Sequence, residues 1–325
     1  MCNPTAAPRV LVEKKHSLLL TTSSFGPTAE EYAKKTDGNS NSKDGIPDQK
    51  DLSPTVLSTV VTIFVVVLIL RGLEHGMRYA FEGLQNVHPV FEVERNRHIL
   101  ARHIGVDFMA SLAVSWVGVA NSHVVLNDVR EHAFGRSDSM SEDGYRGRMF
   151  TYRPAAQRIL LLFLGYQVKN TYDSYVWNDG IVFIFHHLLS GVTAWGGMFP
   201  GLAHFYAIFF MGISEISTMP LCLLANFDDE FGVVGLGDAF PLAKVAFGAL
   251  FAVTFIVCRC VIWPVCTHYF IKDCKMALKC ESEQAKSRRK WIKMFMTASA
   301  GLSALQIVFL GQIIYTVYEE IVKVL

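Results

Sequence analysis

The chain has 325 residues, of which 51% are hydrophobic, 12% aromatic and only 18% charged, with a mean hydropathy of +0.29. A formal net charge of +1 leaves no electrostatic footprint for nucleic acid. A charged fraction well under the ~25% of soluble domains points away from a water-soluble fold. The class that remains is all-α, a polytopic membrane bundle or barrel of about seven transmembrane helices.

In chain order, residues 1–53 read as a disordered polar tail. Residues 27–53 are rich in Pro, Ser, Asp, Lys, Asn and Gly, and such a segment buries too little apolar surface to offset its ordering entropy. Leu18-Leu19-Leu20 is too short for a signal-peptide core, and the tail is neither Arg-rich nor acid-poor. The first transmembrane helix is therefore expected to act as the membrane signal. Residues 54–96 form that helix and its connecting loop, and residues 97–325 a six-helix membrane domain.

A crossing helix needs about 20 mostly apolar residues. The candidates are residues 54–70 (PTVLSTVVTIFVVVLIL), 104–120 (IGVDFMASLAVSWVGVA), 155–168 around LLLFLGY, 181–198 (IVFIFHHLLSGVTAWGGM), 202–224 (LAHFYAIFFMGISEISTMPLCLL), 242–270 and 298–317. The third has the shortest apolar run. Ser53-Pro54 predicts the start of the first helix, with proline at its first position. Asn178-Asp179 predicts a cap for the fourth. Pro200-Gly201 leaves almost no loop between the fourth and fifth, which predicts a tight antiparallel hairpin.

Loop charge predicts orientation. Residues 271–293 carry eight basic residues, among them Lys286, Arg288, Arg289 and Lys290, and residues 225–241 carry none but hold Asp228, Asp229, Glu230 and Asp238. The basic loop is expected in the cytosol, and counting back through seven spans places the amino terminus there too. The cysteines are read as small packing residues in a reduced setting: none forms a CxxC pair, and the acidic loops have none to bridge.

Polar groups inside apolar spans are expensive and by default functional. Here they are His186-His187, His204, Glu215, Arg259 and Asp107. Adjacent helical residues point about 100° apart, so His186 and His187 cannot both face one small ligand. Ser190, four residues after His186, shares its face. A neutral imidazole can take a proton from a hydroxyl or an amine, and the alternative is an interhelical hydrogen bond. His204 and Glu215, eleven residues apart, fall on one helical face with Ile208 and Gly212. Counting from the turn at Pro200 puts Glu215 at the depth of the histidine pair. This predicts a carboxylate–imidazole pair, with a Glu215–Arg259 ion pair as the other reading. Haem, di-iron and zinc sites do not assemble from these spacings, so no metal is expected.

Four blocks, GYQVKNTYDSYV, IFHHLLSGVTAW, GISEISTMP and FIVCRCVIWP, resemble in order and spacing the TLC domain, the TRAM–LAG–CLN homology family, from about residue 97 to 319. The fit is closer to the TLC-domain-containing group than to the ceramide synthases proper. The resemblance implies an endoplasmic reticulum membrane protein built as a six- or seven-helix barrel around a lipid-sized cavity. For a ceramide-synthase-like acyl transfer it implies His186 and His187 as the catalytic histidines and Glu215 in the acidic role. Asn170, Asp173, Ser190, His204 and Arg259 would support the pocket. One glutamate stands where ceramide synthases carry two aspartates, and Asn170 where many relatives carry Asp.

Three functions compete. The first is acyl transfer from acyl-CoA, as co-substrate and with no resident cofactor, to a lipid amine or hydroxyl. Its partners are membrane lipids, not nucleic acid, and the basic loop would draw the CoA phosphates. The second is a non-catalytic lipid-binding regulator of membrane composition, and the third a trafficking factor. The first two are separated by whether His186, His187 and Glu215 converge on one open cavity.

Overall fold

The computed structural model describes residues 54–126, 144–228, 230–280 and 282–324. The tail assigned to residues 1–53 lies outside them. The first helix, α1 (Val56–Glu82), starts two residues later than Ser53-Pro54 suggests. Thr55 is its N-cap, and the Thr55 hydroxyl accepts from the Ser58 amide at 3.2 Å. α2 (Glu94–Ala120) contains a π-helical segment at His103–Phe108. A short helix α3 (Gly144–Phe150) precedes α4 (Pro154–Trp177), which opens on proline.

Asn178 and Asp179 do not cap the next helix. Asn178 adopts left-handed φ and ψ of 56° and 44° and ends α4, while Asp179 turns to Arg102. Gly180, at φ 101°, leads into α5 (Ile181–Gly201) because only glycine takes that conformation without strain. α6 (His204–Phe227), α7 (Pro241–Lys279) and the 42-residue α8 (Glu283–Val324) complete the chain. α7 carries a second long π segment at Ile256–Ile262.

Six of these helices, α1, α2, α5, α6, α7 and α8, are long and apolar enough to cross a membrane. α4 has the length, at 24 residues or about 36 Å, but not the hydropathy. Gln157, Gln167, Lys169, Asn170 and Asp173 lie on it, all buried. It tolerates them because α1, α2, α5 and α6 pack around it, so its polar groups meet protein and not lipid. The expected count of about seven holds with α4 as the polar, central member.

Helix contacts close a ring. α2 touches α4, α4 touches α5, α5 touches α8, α8 touches α7, α7 touches α6, and α6 returns to α2, with α1 outside against α2 and α4. Two ends are sorted by specific bonds. At the acidic end, Asn96 bonds Val234 in both directions and Arg95 reaches the Glu230 carbonyl. At the basic end, the Ala203 amide donates to Met149 O, and Arg288 Nε to Pro200 O at 3.2 Å. Arg148 there makes a bidentate pair with buried Asp273 at 2.7 and 2.9 Å, and the same carboxylate accepts from the Tyr206 hydroxyl.

The predicted α5–α6 hairpin is not tight. α5 lies on α4 and α8, whereas α6 lies on α2, α4 and α7. α6 is also interrupted. Its α-helix stops at Phe210, and a 3₁₀ turn covers Ile213–Ser217. The interruption sits where α2 comes closest, since a Cβ on Gly118 would lie 2.7 Å from Ile213 N and 2.8 Å from Gly212 C. Two glycines thus let the backbones touch and bring Ser115 Oγ to Gly212 O.

Candidate functional site

Inside the ring is a cavity of about 700 Å³ of empty space, mouth included, walled by α4, α5, α6, α7 and α8. Most of its wall is apolar: Leu160, Phe163, Phe210, Trp263, Phe270 and Phe295 face it. Besides Tyr206, and Ser299 of α8, the polar exceptions stand on two sides. From α5 come His186, Ser190 and Thr193, at i, i+4 and i+7 on one helical face. From α6 and α7 come Glu215 and Arg259. The cavity therefore occupies the space that a tight α5–α6 hairpin would have filled.

Glu215 and Arg259 form the ion pair. Arg259 Nη2 donates to Glu215 Oε1 at 2.8 Å, Nε donates to Ser217 Oγ at 3.2 Å, and the guanidinium also reaches Thr218 Oγ1 at 3.4 Å. It lies 5.2 Å from the Trp263 ring, within cation–π range. The predicted carboxylate–imidazole pair is thus replaced by its alternative. A full guanidinium neutralises a carboxylate buried among apolar walls better than a neutral ring does.

The two histidines part company. His186 lines the cavity, and its Nδ1 is buried without a hydrogen-bond partner. Its ring meets Phe309 of α8 edge-on at 6.2 Å. His187 turns to α4, where its Nδ1 lies 2.8 Å from Gln167 Oε1 and so carries the proton. The rings are 5.4 Å apart and edge-on.

His204 does not share the face of Glu215. The break after Phe210 resets the helical phase, and His204 sits fully buried near the basic end. There the Arg153 amide donates to its Nδ1 at 3.0 Å, and its Nε2–H donates to Gly197 O at 3.1 Å. It joins the start of α4 to the end of α5. Asn170 and Asp173 also lie off the cavity. Asp173 pairs with Lys169, and Asn170 meets Tyr166.

Of the sequence candidates, the structure brings together His186, Ser190, Glu215 and Arg259, and sets His187, Asn170, Asp173 and His204 elsewhere. Thr193, Gln167, Ser217 and Thr218 were not singled out. Thr193 was detectable by its seven-residue spacing from His186. Ser217 and Thr218 stand inside the GISEISTMP block. Nothing in the sequence points Gln167 at His187.

The cavity residues form a polar spot in an apolar chamber. One imidazole nitrogen is uncommitted, hydroxyls stand on its own helix face, and a fixed ion pair stands on the other side. Such a site can hold a long apolar molecule and present its polar group to a base. No curated protein and no solved structure gives a significant match to the chain. The model of the TLC domain matches residues 105–315, which contain every residue lining the cavity. Because that match covers more than half of an integral membrane chain, the protein belongs to the TLC domain family.

Proposed function

We propose that the cavity binds a membrane lipid and that His186 acts there as the base of an acyl transfer from acyl-CoA to a lipid amine or hydroxyl. His186 takes the proton from the acceptor's N–H or O–H as that atom attacks the thioester carbonyl. The new C–N or C–O bond forms, the C–S bond breaks, and the proton passes to the departing CoA thiolate. Arg259, held by Glu215, Ser217 and Thr218, supplies positive charge for the oxygen that becomes negative in between. The single observation that carries this reading is that His186, whose buried Nδ1 has no hydrogen-bond partner, lines an apolar cavity that a fixed guanidinium also lines. No resident cofactor takes part. The setting is the endoplasmic reticulum membrane, with the basic end and the amino terminus in the cytosol.

The test is transfer of labelled acyl groups from acyl-CoA into a mixed lipid-acceptor extract by the purified protein in lipid. Transfer that falls about 10²–10⁴-fold in His186→Ala supports the reading and names the acceptor class. A second reading, lipid binding without chemistry, is favoured by one observation: Glu215 and His187 are already committed to Arg259 and Gln167. A folded protein with no transfer above the variant selects it.

A further inference from the structure

The cavity holds a second uncommitted polar group, and proton abstraction at His186 does not use it. Ser299 of α8 lines the cavity and is 8% exposed, and its Oγ is buried without a hydrogen-bond partner among the described residues. A serine or threonine inside a helix can bond its own backbone about one turn back. Thr193 does so to Ser190 O, Ser214 to Phe210 O, Thr254 to Leu250 O and Thr297 to Lys293 O. The Ser299 hydroxyl does not, so its donor stays open to whatever enters the cavity.

Its depth follows from the neighbouring contacts. Phe309 meets His186, a Cβ on Gly301 would lie 3.5 Å from Leu189, and a Cβ on Gly196 would meet Trp291 and Phe295. α5 and α8 are therefore antiparallel, with Ser299 at the level of Ser190 and Gly191. That level is one turn, about 6 Å, from His186 toward the basic end. The α7 side agrees. Trp263 Nε1 donates to Ser303 Oγ at 3.1 Å, and the Phe270 ring stands edge-on to Phe295 at 6.3 Å, so Ser299 falls between these two contacts. Arg259 lies one turn from Trp263 in the opposite direction. Toward the basic end the wall is then apolar, with Gly197, Leu202, Ala203, Phe270 and Phe295, and the Thr193 and Tyr206 hydroxyls there are committed to Ser190 O and Asp273.

The cavity thus sorts by depth into His186 with the Arg259–Glu215 pair, a hydroxyl level about 6 Å on, and an apolar end. A buried hydroxyl without a partner is costly in apolar surroundings. A ligand that relieves the cost carries an acceptor one turn away from the group that faces His186, followed by an apolar chain. A bare long-chain alcohol or amine has its polar atom at one end only and leaves Ser299 unmet. An acyl ester of a short polyol meets it. In a monoacylglycerol the glycerol backbone separates the free terminal hydroxyl from the ester carbonyl by a span of this order, and the acyl chain follows the carbonyl.

We infer that Ser299 is a specificity-determining residue that donates to the ester carbonyl of a lipid of the monoacylglycerol class, whose free hydroxyl stands at His186 and whose acyl chain fills the apolar end. This names the acceptor of the transfer proposed above, and it rests on that reading for the reaction but not for the binding.

The experiment is equilibrium binding to the purified full-length protein in lipid nanodiscs, read without any transfer. The probes are 1-monopalmitoylglycerol and 1-O-hexadecylglycerol, which has the same hydroxyls and chain length but an ether in place of the ester. Wild type should hold the ester about 2–10-fold tighter, as one net hydrogen bond predicts, and Ser299→Ala should erase that ratio by weakening the ester alone. Ser303→Ala loses the Trp263 bond one turn away and should leave the ratio intact, which separates reading of the carbonyl from a general loosening of the wall. Equal affinities in wild type, a ratio retained by Ser299→Ala, or no saturable binding of either probe overturns the inference. An ester preference that Ser299→Ala removes supports it even where no acyl transfer is found, in which case only the reaction fails. Transfer found together with equal affinities for the two probes overturns the role of Ser299 alone. Ser299→Ala removes a hydroxyl that bonds no described residue, so it is expected to fold as wild type does.

Discussion

The two faces of α4 handle buried charge differently. Toward the cavity, charge is scarce and balanced: one carboxylate, one guanidinium, and a histidine left uncommitted. Toward α1 and α2, charge is dense and shared, with Lys169 and Arg102 set among Glu74, Asp107, Asp173 and Asp179. A balanced pair in an apolar chamber leaves room for a ligand's own polar group. A dense cluster of committed ion pairs sealed by packing holds helices together and leaves no such room. The same helix thus faces a chamber on one side and a charge cluster on the other, and substitutions on the two faces should separate stability from activity.

The largest effect is expected at Lys169. Lys169→Met strands Asp173 and Glu74 without their cation, and breaking a buried pair costs about 3–5 kcal/mol. The unfolding midpoint should drop accordingly, and Lys169→Met with Asp173→Leu should recover much of the loss. A Lys169→Met protein as stable as wild type would dissolve the contrast between the faces. On the cavity side the sign is reversed: His186→Ala should abolish transfer by about 10²–10⁴-fold while moving the midpoint little, since no hydrogen bond of His186 Nδ1 is lost.

His187 sharpens the line between them. His187→Ala leaves the Gln167 amide oxygen without its donor, a loss of about 1–3 kcal/mol, with transfer reduced less than in His186→Ala. If its transfer falls as far as that of His186→Ala, the assignment of His186 as the cavity base is wrong.

The smallest effect lies outside both faces, in the turn between α7 and α8. Hydrogen bonds from Tyr145 and then Ser282 hold the Cys280 thiol down to about 7, against an ordinary 9.0. The folded protein therefore carries thiolate from about pH 7 upward. The linked stability is present above 9.0 and fades as pH falls through about 7. Maleimide labelling of Cys280 should rise around pH 7, and Tyr145→Phe should move that rise upward. With a membrane-impermeant reagent, labelling from the cytosolic side alone fits a cytosolic basic end. Labelling from the opposite side reverses the topology.

The sequence determined the helices by itself, because apolar length is a one-dimensional property and a helix satisfies its own backbone in lipid. It also determined that His186, Glu215 and Arg259 deserved notice, because ionisable groups in apolar runs are rare. It was misleading at helix ends, where Thr55 took the cap expected of Ser53, and across the break in α6, where one 3₁₀ turn moved His204 off the face of Glu215. Partner choice was decided only in three dimensions. Glu215 meets Arg259 across 44 positions, His187 meets Gln167 across 20, and Lys169 meets Glu74 on another helix. No local pattern carries such pairings, since they depend on how helices are rotated about their axes, and packing against neighbours sets that rotation.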